Sequence, residues 1–75
     1  MSGQITRNQL EQIEDARMCC DVEEYNKVLE EITGITAAPY TAYSYYDSDL
    51  NYLGDTENNT LEEIMKAAYI EVIDE

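Results

Sequence analysis

Seventeen carboxylates face only four cations, Arg7, Arg17, Lys27 and Lys66, on a chain of 75 residues, and that imbalance constrains the fold more than any motif does. The formal charge of −13 exceeds the magnitude of about 2 to 8 that keeps a small domain dissolved. The excess opposes compaction through self-repulsion. The chain has about half the usual domain length, so a single domain over 1–75 is expected, with room inside for about a dozen large side chains. Burial and conformational entropy nearly cancel at this size, and self-association into a homodimer would add buried surface. A charge surplus that costs stability is most easily understood if the field itself is used.

The same balance excludes function classes. Affinity for phosphate comes mainly from Lys and Arg contacts, which disfavours direct nucleic-acid binding. Anionic membrane surfaces are disfavoured for the same reason. No apolar run of signal-peptide or membrane-spanning length occurs in the sequence. Cys19 and Cys20 are neighbours in a helical stretch, where side chains diverge by about 100°, so no disulfide between them is expected. Core or helix-junction packing of reduced thiols is expected instead, in a cytoplasmic setting, the host cytoplasm if the chain is phage-encoded.

Along the chain the helix signals are local and repeated. Thr6 can cap a helix with Gln9 bonding back and Ile5 packing on Leu10, which predicts a first helix over 7–19 with a stripe of Leu10, Ile13 and Cys20, Ala16 or Arg17 lying between. Asp21 and Glu24 repeat the device, with Cys20 and Tyr25 as the staple. Val22, Tyr25, Val28, Leu29 and Ile32 then recur at helical spacing up to Gly34, predicting a second helix over 22–33. The short connection implies an αα-hairpin. Pro39 breaks the helical character, and Tyr40 to Tyr46, a turn at Asp47-Ser48-Asp49 and Leu50 to Leu53 predict a Tyr-rich β-hairpin. Thr60 and Glu63 form a third capping pair, predicting a helix from 61 to 69 or beyond. Tyr69 to Ile73 can alternatively be read as a strand added to the hairpin. The fold class is therefore α+β.

No active site is legible, and no enzymatic activity or cofactor is expected. The absence of His removes imidazole triads, imidazole metal sites and the ordinary pH switch. Gly3, Gly34 and Gly54 are isolated, so no glycine-rich phosphate loop exists. Asp21, Glu23 and Glu24 beside Cys19-Cys20 disfavour a reactive thiolate. Asp47-x-Asp49-x-Asn51 resembles the opening of an EF-hand calcium loop. Tyr52 stands where that loop needs glycine and Asn58 where it needs a bidentate Glu, so an acidic turn is expected and no metal. Asn58-Asn59-Thr60 matches a glycosylation acceptor and is read as a loop with a helix cap.

Two features remain. Tyr40, Tyr43, Tyr45, Tyr46 and Tyr52 crowd one segment of a chain without Phe or Trp, and tyrosine suits half-buried surfaces and interface anchors. In a continuous strand Tyr43 and Tyr45 would share one face, Tyr40 and Tyr46 the other. Glu11, Glu14 and Asp15, then Glu23, Glu24, Glu30 and Glu31, then Glu62 and Glu63 lie off the apolar stripes. The pairs Glu23/Glu24 and Glu30/Glu31 repeat after about 10 Å of helix.

Acidity, small size and carboxylate-lined helices over the whole chain look like phage DNA-mimic inhibitors of restriction or CRISPR nucleases. Tyr45-Tyr46-Asp47, with the acidic loop and the helix from Thr60, is distantly similar to the Tyr-Tyr segment of nuclease-colicin immunity proteins, whose proline-containing turns are missing here. The expected partner is a basic protein, a nucleic-acid-binding enzyme or complex. Expected contacts are Glu23, Glu24, Glu30, Glu31, Asp47, Asp49, Asp55 and Glu57, with Tyr43, Tyr45, Tyr46 and Tyr52 as anchors. The alternative is an antitoxin, immunity or adaptor module using the Tyr-rich hairpin.

Overall fold

The computed structural model describes residues 3–74. Strand β1 (Gly3–Thr6) leads into α1 (Arg7–Cys19), followed by α2 (Val22–Thr33), β2 (Thr36–Ala37), β3 (Ser44–Tyr46), β4 (Tyr52–Asp55), α3 (Leu61–Ala67) and β5 (Ile70–Ile73). The three helices start where their caps predict. Thr6 Oγ1 accepts from Gln9 N while Gln9 Oε1 accepts from Thr6 N, Asp21 Oδ1 accepts from Glu24 N, and Thr60 Oγ1 accepts from Glu63 N. Gly34, at φ 78°, ends α2 in the left-handed region that only glycine enters freely.

Strands β2, β3 and β4 form an antiparallel sheet in that order, and β1 pairs in parallel with β5. The core is one cluster centred on Ile13, Tyr25, Leu29, Ile35, Tyr45, Ile64 and Met65, fed by all three helices and by the inner face of the sheet. Gly54 lies opposite Tyr45 in the register. A Cβ there would come within 3.1 Å of Ile64 Cδ1 at a φ of 138°, so this glycine lets α3 close on the sheet.

Several expectations are corrected. The C-terminal segment is a strand, but it joins β1 rather than the hairpin: α3 stops at Ala67 and Tyr69, at φ 60°, turns the chain back. The first hairpin strand is shorter than predicted because Tyr40 (φ 75°) and Ala42 (φ 55°) take left-handed conformations that no strand accommodates. Leu50 does the same at φ 65°, which delays β4 to Tyr52 and carries it through Gly54 and Asp55. Cys19 and Cys20 are free and exposed, not packed in the core. Helix α1 ends at Cys19 and Cys20 is extended (φ −112°, ψ 167°), so it leaves the stripe of Leu10, Ile13 and Ala16.

Candidate functional site

The tyrosines divide into two kinds. Tyr25 of α2 and Tyr45 of β3 are buried and meet edge to face, with ring centroids 6.5 Å apart. Their hydroxyl oxygens are 2.6 Å apart. The single Tyr45 proton goes to the Ala42 carbonyl, so Tyr25 donates to Tyr45, and the relay Tyr25 to Tyr45 to Ala42 ties α2 to the left-handed turn before β3. Burial, followed by the bond to the Tyr45 hydroxyl, pushes the Tyr25 phenol well above its ordinary range and keeps it neutral. Tyr45 is therefore withdrawn from the expected contact residues: alternation along a short strand sends it inward, and a partner cannot reach it.

Tyr46 and Tyr52 lie on the other face of the same sheet. They are cross-strand partners and their rings meet at 5.8 Å with an interplanar angle of 64°. The bulge between Tyr45 and Tyr46 brings Asp55 beneath Tyr52, whose hydroxyl donates to Asp55 Oδ2 at 2.8 Å. Asp55 Oδ1 accepts from Asn58 N at 3.2 Å and Nδ2 at 3.0 Å. The Tyr52 hydroxyl, opposed by desolvation and helped by the Asn58 donors, holds the Asp55 carboxyl below the usual range; the same bond raises the Tyr52 phenol. Asp47 closes the neighbouring turn, accepting on one oxygen from Asp49 N and Asn51 N, both at 2.9 Å. Its carboxyl is lowered chiefly by the Asn51 backbone donor. Asp49 and Glu57 are exposed on the two turns that flank β4.

Tyr43 belongs to neither group. It precedes β3, is half-exposed, and carries the Arg17 guanidinium 5.4 Å from its ring centroid. An internal cation thus already occupies one face of that ring. Arg7 also serves the fold, donating to Asp74 Oδ1 at 2.8 Å and Glu62 Oε1 at 2.7 Å, which strengthens its hold on its proton. Among the described residues these are the only ion pairs, so the other carboxylates have no cationic partner.

Helix α2 concentrates that unpaired charge. At 3.6 residues per turn, Glu23 and Glu30 form one row and Glu24 and Glu31 another. Lys27 lies between them, and all five side chains are exposed. Tyr25 and Leu29 occupy the opposite side of the helix, against the sheet. The carboxylate rows and the Tyr46–Tyr52 pair consequently point away from each other across the core, and no flat partner surface can touch both. Periodicity assigns Glu23, Glu24, Glu30 and Glu31 to α2 and Tyr46 and Tyr52 to strands, but this opposition depends on how α2 packs.

Among the described residues, cavities indent the surface in at least two places. One of about 260 Å³ lies among the ends of α2 and α3, β1 and the turn at Asp47. Another, of about 330 Å³, lies between Glu14 and Arg17 of α1 and Thr56 and Asn59 of the β4–α3 loop. Comparison with protein-family models, curated proteins and solved structures finds no match. Function must therefore be argued from surface chemistry. No group of His, Cys, Asp and Glu among the described residues could hold a metal ion, and no helix there is long and apolar enough to cross a membrane.

Proposed function

We propose that the chain is an acidic protein-binding inhibitor, a DNA mimic of the kind phages and mobile elements direct against restriction or CRISPR nucleases, and that it occupies the nucleic-acid-binding surface of a basic enzyme. The observation that carries this reading is the outer side of α2, where Glu23, Glu24, Glu30 and Glu31 stand exposed with no ion pair among the described residues. Successive pairs are about 10 Å apart along the helix axis, within which one DNA strand places about three phosphates at roughly 3.4 Å each. A surface built to grip phosphates would meet carboxylates at every third position, and electrostatic steering would make the encounter fast and salt-sensitive.

The test is competitive. A nuclease recovered from the native host by salt elution from the immobilised chain is bound to labelled duplex DNA, and the chain is added. Release of the duplex is expected, with release lost in the Glu23→Gln, Glu24→Gln, Glu30→Gln, Glu31→Gln variant. A nuclease that binds chain and duplex at once would contradict the mimic.

The immunity or adaptor reading has its own support in exposed Tyr52, which packs on half-buried Tyr46 and offers aromatic surface of the type that anchors interfaces. It predicts the opposite sensitivity: partner binding falls in Tyr46→Ala with Tyr52→Ala and survives neutralisation of α2.

A further inference from the structure

We infer that the outer face of the three-stranded sheet is a second docking site, in which Tyr46, Tyr52 and Asp55 take an arginine side chain of a basic protein partner. The inference rests on the reading of an acidic chain that meets a basic protein, and it adds a distinct site on the far side of the molecule.

The inner face of the sheet is covered: Tyr45 meets Tyr25 of α2, and Gly54 meets Ile64 of α3. Thr36, Tyr46 and Tyr52 are aligned on the outer face by the register, next to Ser44 and Asp55. Tyr52 is 59% exposed, an amount of aromatic surface that packing within the chain does not explain. The chemistry left open there is specific. The exposed Tyr52 ring, held edge to face against half-buried Tyr46, presents π density, and a carboxylate lies within reach of it through its 2.8 Å bond to the Tyr52 hydroxyl.

Asp55 is already oriented by neutral donors, so its charge is uncompensated and its direction fixed. A planar, weakly hydrated guanidinium can stack on a tyrosine ring while donating to a carboxylate edge. A compact, strongly hydrated ammonium satisfies the charge but not the stacking. The intramolecular contact of Arg17 with Tyr43 shows the same pairing elsewhere in the molecule. Charge complementarity favours a cationic occupant over a second copy of this chain, which would bring another −13 to the interface.

The test uses the full chain, isotopically labelled, titrated with a short oligo-arginine peptide and an oligo-lysine peptide of equal length at about 0.15 M salt, where surface charge is largely screened. Backbone amides of Ser44, Tyr46, Tyr52 and Asp55 are expected to report an affinity about two- to five-fold tighter for arginine, the size of an exposed cation–π contact. Amides of α2 should not discriminate between the peptides. The preference should vanish in Tyr52→Leu and in Tyr46→Leu, whose amide spectra elsewhere verify the fold. Equal affinity for both peptides at the sheet, or a preference that survives both leucine variants, overturns the site. If α2 amides respond while the sheet does not, this inference fails and the acidic docking reading stands. Failure of the reading itself appears separately, as nuclease that keeps its duplex.

Discussion

The Tyr25–Tyr45 pair and the Tyr46–Tyr52 pair are built from the same residue and the same edge-to-face contact, yet one lies in the core and the other on the surface. In the first, every hydroxyl is consumed internally and ends on the Ala42 carbonyl. In the second, the Tyr52 hydroxyl ends on a charged carboxylate that faces solvent. Hydroxyl bonding alone does not separate buried from surface tyrosines here. What separates them is whether the acceptor is itself a main-chain group of the fold or an ionised group with room for another donor.

That contrast can be broken most severely at Tyr45. Tyr45→Ala removes a fully buried ring and should cost about 3–5 kcal/mol, a large share of the stability of a domain this small. Tyr52→Ala should shift the urea midpoint far less, because its ring is exposed. Urea unfolding of both variants measures the difference, and equal losses would erase the distinction. Tyr45→Phe should cost about 1–3 kcal/mol because it strands both the Tyr25 hydroxyl and the Ala42 carbonyl. Tyr25→Phe removes only the first donor of the relay and should cost less, about 0.5–1.5 kcal/mol. The order of the two midpoints tests the direction assigned to the chain of hydroxyls.

The smallest effect belongs to the exposed pair and is read through pH. Asp55 has its folded-state pKa lowered, so its contribution is present above the ordinary aspartate pKa of about 3.9 and is lost as pH falls through the lower folded value. Asp55→Asn should therefore have a lower urea midpoint than the parent at neutral pH, and the two midpoints should converge in strong acid. A gap that persists unchanged at low pH would mean that the carboxylate's charge plays no part in the patch.

The helices were legible in the sequence because their signals are local: Thr6 with Gln9, Asp21, Thr60 and Gly34 each act within a few residues. The strands were not, because pairing lies far along the chain. Gly3-Gln4-Ile5-Thr6 carries no strand signature and becomes β1 only by lying beside Ile70–Ile73. Tyr43 and Tyr45 would share a face in a regular strand. Left-handed Ala42 starts β3 only at Ser44, so Tyr43 stays outside and Tyr45 turns inward. The carboxylate rows of α2 follow from helical period alone, whereas the meeting of Tyr46, Tyr52 and Asp55 requires a bulge that leaves Leu53 unpaired. Periodicity found the first surface, and only the register could find the second.

The central claim is that the unpaired carboxylates of α2 form a working surface that replaces phosphates on a basic protein. It is tested most directly by the slope of log affinity against log salt for the recovered nuclease, from about 50 to about 500 mM. The account predicts a steep loss of affinity with salt, a much shallower slope when Glu23, Glu24, Glu30 and Glu31 are replaced by Gln, and an unaltered slope in Tyr52→Leu. An affinity for the parent chain that holds constant across that range would contradict it.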